Sequence, residues 1–357
     1  MTAFSRARGM SGRALVCRIC AFLLGVMMFA VSAQGQKINI NYPNRSGSNW
    51  PLFIAKEGGY YQKYGLDVNL VFGIHPAGIA MLVSGEGQMV NSSLEQLMQA
   101  ASRDGSMVLM CSSLNKGMFA LMANKNIATI GDLKGKRIAI GQLGDAPFGY
   151  LSALLGKNGI KPRDVQWIPV GTDVSGRVAA LQSGRADATL LTAPAYFKVE
   201  EAGYRMLANL ADHDDIFAAT ACLFRKRTLQ ADPLLPEKIL KAQSEAVKRF
   251  YEDKAFAVAA FLAYDKTAQP AEVARVYDLY ARSQSFERVP YVLATAVKSV
   301  LDQQSDPNVA TQMKAYDWKQ VIDNRIVGKL AQEGFFEQLF GAGIRDELER
   351  KSKLAFR

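Results

Sequence analysis

The chain has 357 residues, of which 49% are hydrophobic and 21% charged, and its formal net charge at neutral pH is +10. The length exceeds that of one typical domain, so two lobes are expected. The positive charge is interspersed along the chain, which argues against a nucleic-acid partner and at most favours small anionic molecules.

The first 33 residues have the pattern of a cleaved export signal. Four arginines and no acidic residue precede the apolar run A-F-L-L-G-V-M-M-F-A-V, and V-S-A at 31–33 fits a small-residue cleavage site. The run is shorter than the roughly 20 residues of a membrane-spanning helix. Cys17 and Cys20 precede it, whereas a lipoprotein needs a cysteine after it. We therefore expect a periplasmic protein, cleaved after Ala33. The rest of the chain carries 39 basic and 33 acidic residues, a net charge of +6.

Two cysteines would remain after cleavage. Cys111 and Cys222 both lie in apolar stretches, V-L-M-C and A-T-A-C-L-F. Free cysteines in such surroundings behave as small buried hydrophobic residues. A disulfide stays open as the alternative, because nothing in the sequence determines their separation. We expect two buried thiols.

A polar loop that contains an arginine joins the first predicted strand to the first helix. The strand K-I-N-I-N begins at Lys37, and the loop Y-P-N-R-S-G-S-N follows it directly. Pro51 suits the first turn of a helix that ends at the pair Gly58-Gly59, and Gly65 offers a left-handed stop before the strand L-D-V-N-L-V. In open α/β sheets, ligands bind at the position that this loop occupies.

The same order of elements recurs 99 residues later. K-I-N-I-N begins at Lys37 and K-R-I-A-I at Lys136, and the second loop, G-Q-L-G-D-A-P, again ends in a proline. The dipeptide Ser-Gly at 84–85 and at 183–184 keeps the same offset. Such an ordered set predicts two βαβ units of one kind. Each unit alone is too small for an enzyme, but two that face each other form a cleft.

Two apolar strands are predicted to connect the lobes. G-M-F-A-L-M-A-N-K (117–125) precedes the second unit, and D-I-F-A-A-T-A-C-L-F-R-K (215–226) follows it. From Pro233 onward the apolar spacing is mostly helical. The expected domains are lobe I at 34–122 and 222–357 and lobe II at 123–221.

Helix starts that follow strand ends are the main candidates for a ligand site. Their free N–H groups and positive dipole ends favour carboxylates, sulfonates and other anions. Plain N-caps are the commoner role of Ser, Thr and Asn at such positions, and S-S-L-E at 92–95 has the pattern of a capping box. The predicted starts follow Asn49, Ser92, Asp145 and Thr192, with Thr172-Asp173 as a fifth.

One arginine and three aromatic residues complete the candidate site. Arg45 lies in an uncharged polar loop, where an arginine suits bidentate binding of an anion but also a plain surface position. Trp50, Phe148 and Tyr196 each follow a candidate loop, and for them stacking on a ligand and packing in a lobe core carry equal weight. The candidate ligand-binding residues are Asn44, Arg45, Ser46, Asn49, Trp50, Ser92, Ser93, Leu143, Gly144, Asp145, Phe148, Thr172, Asp173, Thr192 and Tyr196.

Three stretches resemble the NMT1/THI5-like (SsuA/TauA-like) solute-binding proteins. These are A-K-E-G-G-Y-Y-Q-K-Y-G-L-D-V, I-G-D-L-K-G-K-R-I-A-I, and R-V-A-A-L-Q-S-G-R-A-D-A with the later T-A-P. The resemblance runs from about residue 37 to 224. Arg177 matches a family helix position and is expected to be structural. The loop P-N-R-S-G-S-N is similar to that of the pyrimidine-binding branch, from which Arg45 and Trp50 depart.

The resemblance implies a type II periplasmic-binding fold. In that α/β fold, two doubly wound lobes joined by two crossover strands close on a small molecule and deliver it to an ABC transporter permease. Family members bind nitrate, sulfonates, taurine, thiamine-precursor pyrimidines and aromatic acids, so the motifs do not determine the ligand.

An enzyme is the rival class. Related pyrimidine synthases need a histidine and a cysteine-rich motif that do not occur here, and the menaquinone-pathway enzymes of this fold have no export signal. G-x-S-x-G, H-E-x-x-H and P-loop motifs are absent from the sequence. D-H-D-D at 212–215 is more simply a polar loop than a metal site, because its residues are contiguous. A secreted sensor with the same fold stays open.

The sequence therefore predicts a non-enzymatic solute-binding protein without a cofactor or metal. We expect a monomer whose partners are a small molecule and an inner-membrane ABC permease, with no nucleic acid. The predicted ligand is a small organic anion, and we consider an aromatic one.

Overall fold

The computed structural model describes residues 35–143, 145–171, 174–213, 217–304 and 307–357. The predicted export signal lies outside these residues, as do the site candidates Gly144, Thr172 and Asp173 and part of the D-H-D-D stretch. Among the described residues, no helix combines the length and apolarity needed to cross a membrane.

In the described residues between Gln36 and Arg225, strands and helices follow one another along the chain. The strands are β1 (Gln36–Tyr42), β2 (Leu66–Phe72), β3 (Met89–Ser93), β4 (Met107–Lys116), β5 (Phe119–Ala123), β6 (Arg137–Ile140), β7 (Gln166–Pro169), β8 (Ala188–Thr192), β9 (Arg205–Asn209) and β10 (Phe217–Arg225). The α-helices among them are α1 (Trp50–Glu57), α2 (Tyr60–Lys63), α3 (His75–Ser84), α4 (Leu94–Arg103), α5 (Ala146–Lys157), α6 (Val174–Gln182) and α7 (Ala195–Glu201).

The rest of the described chain is helical, as the apolar spacing predicts. Its α-helices are α8 (Lys226–Ala231), α9 (Leu235–Glu252), α10 (Lys254–Tyr264), α11 (Pro270–Arg282), α12 (Ala294–Gln303), α13 (Pro307–Ala315), α14 (Arg325–Gln332), α15 (Phe335–Phe340) and α16 (Arg345–Leu354).

The start and end signals of the first unit are confirmed. Pro51 occupies the first turn of α1, where its missing N–H has no helical acceptor in any case. Gly65 has φ +74° and ends the turn before β2, a conformation in which a side chain would be strained.

Two five-stranded sheets with the same strand order confirm the internal repeat. The first has the order β2-β1-β3-β10-β4 and the second β7-β6-β8-β5-β9. β1 runs parallel to β2 and β3, and β6 runs parallel to β7 and β8. β10 and β5 are antiparallel to their neighbours. Each sheet thus repeats one βαβ pattern and adds a strand of opposite direction.

The chain passes from one sheet to the other twice. It leaves the first sheet after Lys116 and enters the second at Phe119, and it returns between Asn209 and Phe217. These changes fall a few residues before the boundaries expected at 122/123 and 221/222. The domain limits themselves stay a prediction.

Cys111 and Cys222 are buried free thiols, as predicted. They face each other on β4 and β10. The neighbouring Cys111 thiol and burial together raise the pKa of Cys222 well above its usual value. Both factors disfavour the reactive thiolate.

We therefore expect the chain that begins at Gln34 to show no thiol reactive toward Ellman's reagent in its native state. After denaturation without reductant, two thiols should react, because burial alone protects them. Denatured protein with no reactive thiol would show instead that the two cysteines form a disulfide.

Candidate functional site

Helices of the two lobes contact each other. Arg275 of α11 lies 2.5 Å from Glu201 of α7, and its guanidinium carbon lies 4.3 Å from the ring centroid of Phe197. Lys198 Nζ lies 3.0 Å from Glu272 of α11. Exposed ion pairs of this kind contribute about 0–1 kcal/mol each. The ion pairs themselves therefore contribute little, whereas buried apolar residues of the second lobe such as Tyr196 and Val199 belong to one core cluster with residues of the first lobe.

A second contact brings α5 of the second lobe against α12. A Cβ atom built at Gly149 would lie 3.6 Å from Cβ of Gln303, which is ordinary van der Waals contact. The helix α5 therefore lies directly over the first lobe, and the residues between them are shielded from solvent.

The polar loop after β1 is held by a network of amides. Asn44 Oδ1 accepts hydrogen bonds from the Ser46 amide at 3.1 Å and from Asn49 Nδ2 at 2.9 Å. Asn91 of β3 donates from Nδ2 to Asn49 Oδ1 at 2.9 Å. The structure thus brings together three of the predicted site residues and adds Asn91. Their contact with a ligand stays a prediction.

Arg45 lies at the ends of β1 and β2 and is exposed. Its guanidinium carbon lies 4.4 Å from the ring centroid of Phe72. Burial raises the pKa of the Tyr42 phenol, and Arg45 partly opposes this effect. The arginine therefore lies on the rim of the first lobe and stays a candidate contact.

The three predicted aromatic contacts are buried in packing between helices and sheets. Trp50 is fully buried, which favours a place in the lobe core over contact with a ligand. Phe148 is 5% exposed and lies edge-on against Trp167 at 4.6 Å between ring centroids. Tyr196 is 2% exposed, and burial raises the pKa of its phenol.

The indole of Trp50 also has its polar atom satisfied. Its Nε1–H donates to the Ala257 carbonyl of α10 at 2.6 Å. Phe250 and Phe261 lie against the ring with centroids 5.3 Å and 5.0 Å away. An aromatic residue that is enclosed by α9 and α10 has no face left for a ligand.

The predicted capping box at the start of α4 does not form. The helix begins at Leu94, so Ser93 is its N-cap and Glu95 its second residue, one position short of the third residue that a capping box requires. The Ser93 side chain makes no cap hydrogen bond. The predicted helix start was wrong by one residue.

Of the other predicted helix starts that lie within the described residues, the one after Asp145 has a side-chain cap, and those after Asn49 and Thr192 do not. Asp145 Oδ1 accepts from the Phe148 amide at 2.8 Å and so caps α5. Thr192 is the last residue of β8, and α7 begins three residues later, after the cis peptide bond Ala193-Pro194. Leu143, in the loop before α5, is 63% exposed.

Ser92 has an unpredicted partner in His75. The hydroxyl of Ser92 and Nδ1 of His75 form a short hydrogen bond. Ser92 is 1% exposed, and burial lowers the pKa of His75, which therefore favours its neutral form. Arg177 is structural as expected, because it is buried and its Nε donates to the Leu190 carbonyl at 3.1 Å.

Glu95 is a buried carboxyl group near the start of α4, close to residues of both lobes. It is 9% exposed, and the Tyr150 phenol and the Ser93 hydroxyl lie within hydrogen-bonding reach of its carboxyl group. Burial raises the pKa of the carboxyl; the nearby Tyr150 phenol of the second lobe lowers it in part. Asp145, also from the second lobe, raises the pKa further. Glu95 therefore lies where the lobes meet.

Sequence reasoning missed His75, Asn91, Glu95 and Tyr150. Asn91 is the first polar residue of β3, directly after Met89 and Val90, which is a usable signal. Glu95 was assigned to a cap, and Tyr150 shows no local pattern because its position depends on the approach of the other lobe. In the portions of the chain that are described, no group of three metal-binding side chains occurs.

A cavity of about 660 Å³ lies away from the lobe junction. It is lined by Val108 near the start of β4, by Lys226, and by the C-terminal Phe356 and Arg357. The start of β4 is the end of the sheet remote from the crossover to the second lobe. This cavity therefore has no part in a site between the lobes.

Both sheets have the same strand order, with one antiparallel strand in the fourth position, and two crossovers join the two α/β lobes. This arrangement defines the type II periplasmic-binding fold. The NMT1/THI5-like family model matches residues 48–257. The chain belongs to this family.

Solved structures with the same architecture include a binding protein and an enzyme. The periplasmic sulfonate-binding protein SsuA from Methylobacillus flagellatus KT is 17% identical with a TM-score of 0.69, over 85% of this chain and 96% of that chain. The desulfurization enzyme DSZB is 15% identical with a TM-score of 0.60, over 84% and 99%. At these identities the likeness shows the fold alone.

One curated relative is an enzyme. The 4-amino-5-hydroxymethyl-2-methylpyrimidine phosphate synthase of Schizosaccharomyces pombe is 30% identical over 129 residues. The match spans 35% of this chain and 36% of the synthase, so the chain covers about a third of that relative's length.

Proposed function

We propose that the protein is an exported solute-binding protein. It captures a small organic molecule between its two lobes and delivers it to an ABC permease of the inner membrane. The observation that carries the proposal is that both lobes contribute polar groups to their junction, where Tyr150 and Asp145 of the second lobe act on the buried Glu95 of the first. Export rests on the pattern of residues 1–33, and the permease on the similarity to a binding protein of an ABC transporter.

The exposed ion pairs between the lobes are compatible with a hinge. The ion pairs from α7 to α11 are exposed, so their loss on opening costs little. A ligand that contacts both lobes then supplies the free energy that favours the closed form.

Scattering in solution tests the hinge. We expect the radius of gyration of the chain that begins at Gln34 to fall when a bound molecule, first identified by native mass spectrometry of the purified protein, is added back at saturation. At 100 times its dissociation constant that molecule should also stabilise the protein by about 2.7 kcal/mol. A scattering curve that does not change at saturation would contradict the hinge.

The charge of the ligand is a separate question. The organic anion that the sequence predicts is supported by Arg45 and by the helix starts of α1 and α5. The buried carboxylate of Glu95 at the start of α4 argues against an acidic group at that point, because like charges repel most strongly where water is excluded.

An enzyme on the same fold is the second candidate, and one observation favours it. His75 and Ser92 form a hydrogen-bonded pair at the ends of β2 and β3, with the histidine favouring its neutral form. Such a pair can activate a hydroxyl. Chemical conversion of the co-purified molecule, followed by mass spectrometry and lost in the variant Ser92→Ala, would favour this alternative over transport.

A further inference from the structure

The cavity of about 660 Å³ in the first lobe lies outside the proposed transport site. It lies beside the pair formed by Val108 of β4 and Phe224 of β10, and Lys226 follows that pair two residues later. Sites for small molecules have volumes of about 300–1,000 Å³. The cavity is therefore large enough to hold a small organic molecule.

Hydrogen bonds between segments that are distant in sequence fix the walls of the cavity. The Asp323 amide donates to the Leu109 carbonyl of β4 at 2.8 Å, and the Phe356 amide donates to the Val292 carbonyl at 2.9 Å. Asn324 Nδ2 joins these segments by donating to the Phe356 carbonyl at 3.0 Å. The backbone around the cavity is therefore ordered before a ligand arrives, which lowers the entropic cost of binding.

One part of the lining is apolar and shielded from water. Val108, Tyr291 and Ile322 are 7%, 6% and 8% exposed, and Leu229 and Phe356 are half-buried. Burial raises the pKa of the Tyr291 phenol, which therefore stays neutral. An apolar group of a ligand that enters here leaves water, and this transfer favours binding.

The exposed part of the lining is positively charged. Lys226, Lys319 and Arg357 are exposed, and none of them forms an ion pair with an acidic side chain in the described chain. The fourth cation, Arg325, donates from Nε to the Asp323 carboxylate at 2.9 Å. Four cations thus face only Asp323 and the terminal carboxylate of Arg357, so the lining as a whole is positive.

We propose that this cavity is a second ligand site, which binds an amphipathic anion. The ligand class is an acid that carries an alkyl chain. Its carboxylate lies among Lys226, Lys319 and Arg357, and its chain packs against Val108 and Ile322. The site is independent of the transport proposal, because its lining belongs to the first lobe alone. Binding there stabilises that lobe and does not close the two lobes on each other.

Matched compounds test the ligand class on the chain that begins at Gln34. Octanoate has both a charge and an alkyl chain, octylamine keeps the chain with the opposite charge, and phosphate is an anion without an apolar part. We expect octanoate to raise the melting temperature more than equal concentrations of the other two. An equal rise with octylamine or with phosphate would overturn the amphipathic anion, as would no rise with octanoate.

Hydrogen exchange and scattering locate the bound acid. We expect octanoate to slow amide exchange in residues 319–325 and 352–357 and to leave the radius of gyration unchanged. Slower exchange confined to the loop at 43–49, or a fall in the radius of gyration, would place the acid between the lobes. That result would overturn the second site and would support the transport proposal, so the two inferences fail separately.

The double variant Lys226→Glu/Lys319→Glu tests the residues. Both side chains are exposed, so the variant should fold, and we expect octanoate affinity measured by calorimetry to fall by about 10- to 100-fold, the range of a hydrogen bond to a charged group. Lys266→Glu/Lys314→Glu is the matched control, with the same change in net charge at exposed positions outside the cavity. Equal affinity in the two double variants would overturn the proposal.

Discussion

Replacing Trp50 by alanine is expected to lower the free energy of unfolding by about 4 kcal/mol, as measured by denaturant titration. The side chain is fully buried between α9 and α10, so its removal leaves a large cavity in the first lobe. This cost is among the largest that a single core substitution produces.

The variant Trp50→Phe separates packing from ligand contact. It keeps an aromatic ring in the core and removes only the hydrogen bond from Nε1–H to the Ala257 carbonyl. We expect a loss of about 1 kcal/mol in stability and no change in ligand affinity. A large loss of affinity at unchanged stability would show that Trp50 contacts the ligand after all.

Replacing Lys351 by methionine is expected to cost about 3 kcal/mol of stability, since it removes one partner of a buried ion pair. Lys351 Nζ lies 2.5 Å from Glu287 Oε2, and the two side chains are only 9% and 12% exposed. In the variant, Glu287 keeps the neutral amide of Asn115 at 2.9 Å as a hydrogen-bond partner, which does not balance its charge.

The helix α16 supplies its own control. Lys353 pairs with Glu349 at 2.6 Å, but the two side chains are 71% and 70% exposed. Lys353→Met should therefore change stability by less than about 0.5 kcal/mol. The double variant Lys351→Met/Glu287→Met should recover most of the loss, because neither charge is then left buried alone. Equal effects at 351 and 353 would contradict the argument.

Much of the fold could be predicted because its signals are local. The helix start at Pro51 and the turn at Gly65 follow from the backbone preferences of single residues. The repeat at an offset of 99 predicts two similar units, and both sheets have the same strand order. The family resemblance over 37–224 agrees with a model match over 48–257.

The candidate site could be predicted only in part, because the partner of a side chain is not a local property. Asn44, Ser46 and Asn49 were all assigned to the polar loop after β1, and they lie together there in one hydrogen-bond network. Trp50 has the same sequence context as a cleft residue, yet Phe250 and Phe261, about 200 positions later, enclose it. The capping box failed by one residue, a difference that depends on where β3 ends.

The sequence by itself determined the two βαβ units, their family and the loops that follow the strands, since apolar periodicity, glycine and proline act within a few residues. Only the tertiary structure decided which polar groups are left for a ligand. Glu95 is next to a helix start in any case, but it becomes a buried carboxyl group beside Tyr150 and Asp145 only when α5 of the other lobe covers it. The physical reason is that burial and hydrogen bonding at a lobe junction depend on residues from both lobes, and these meet only in the folded chain.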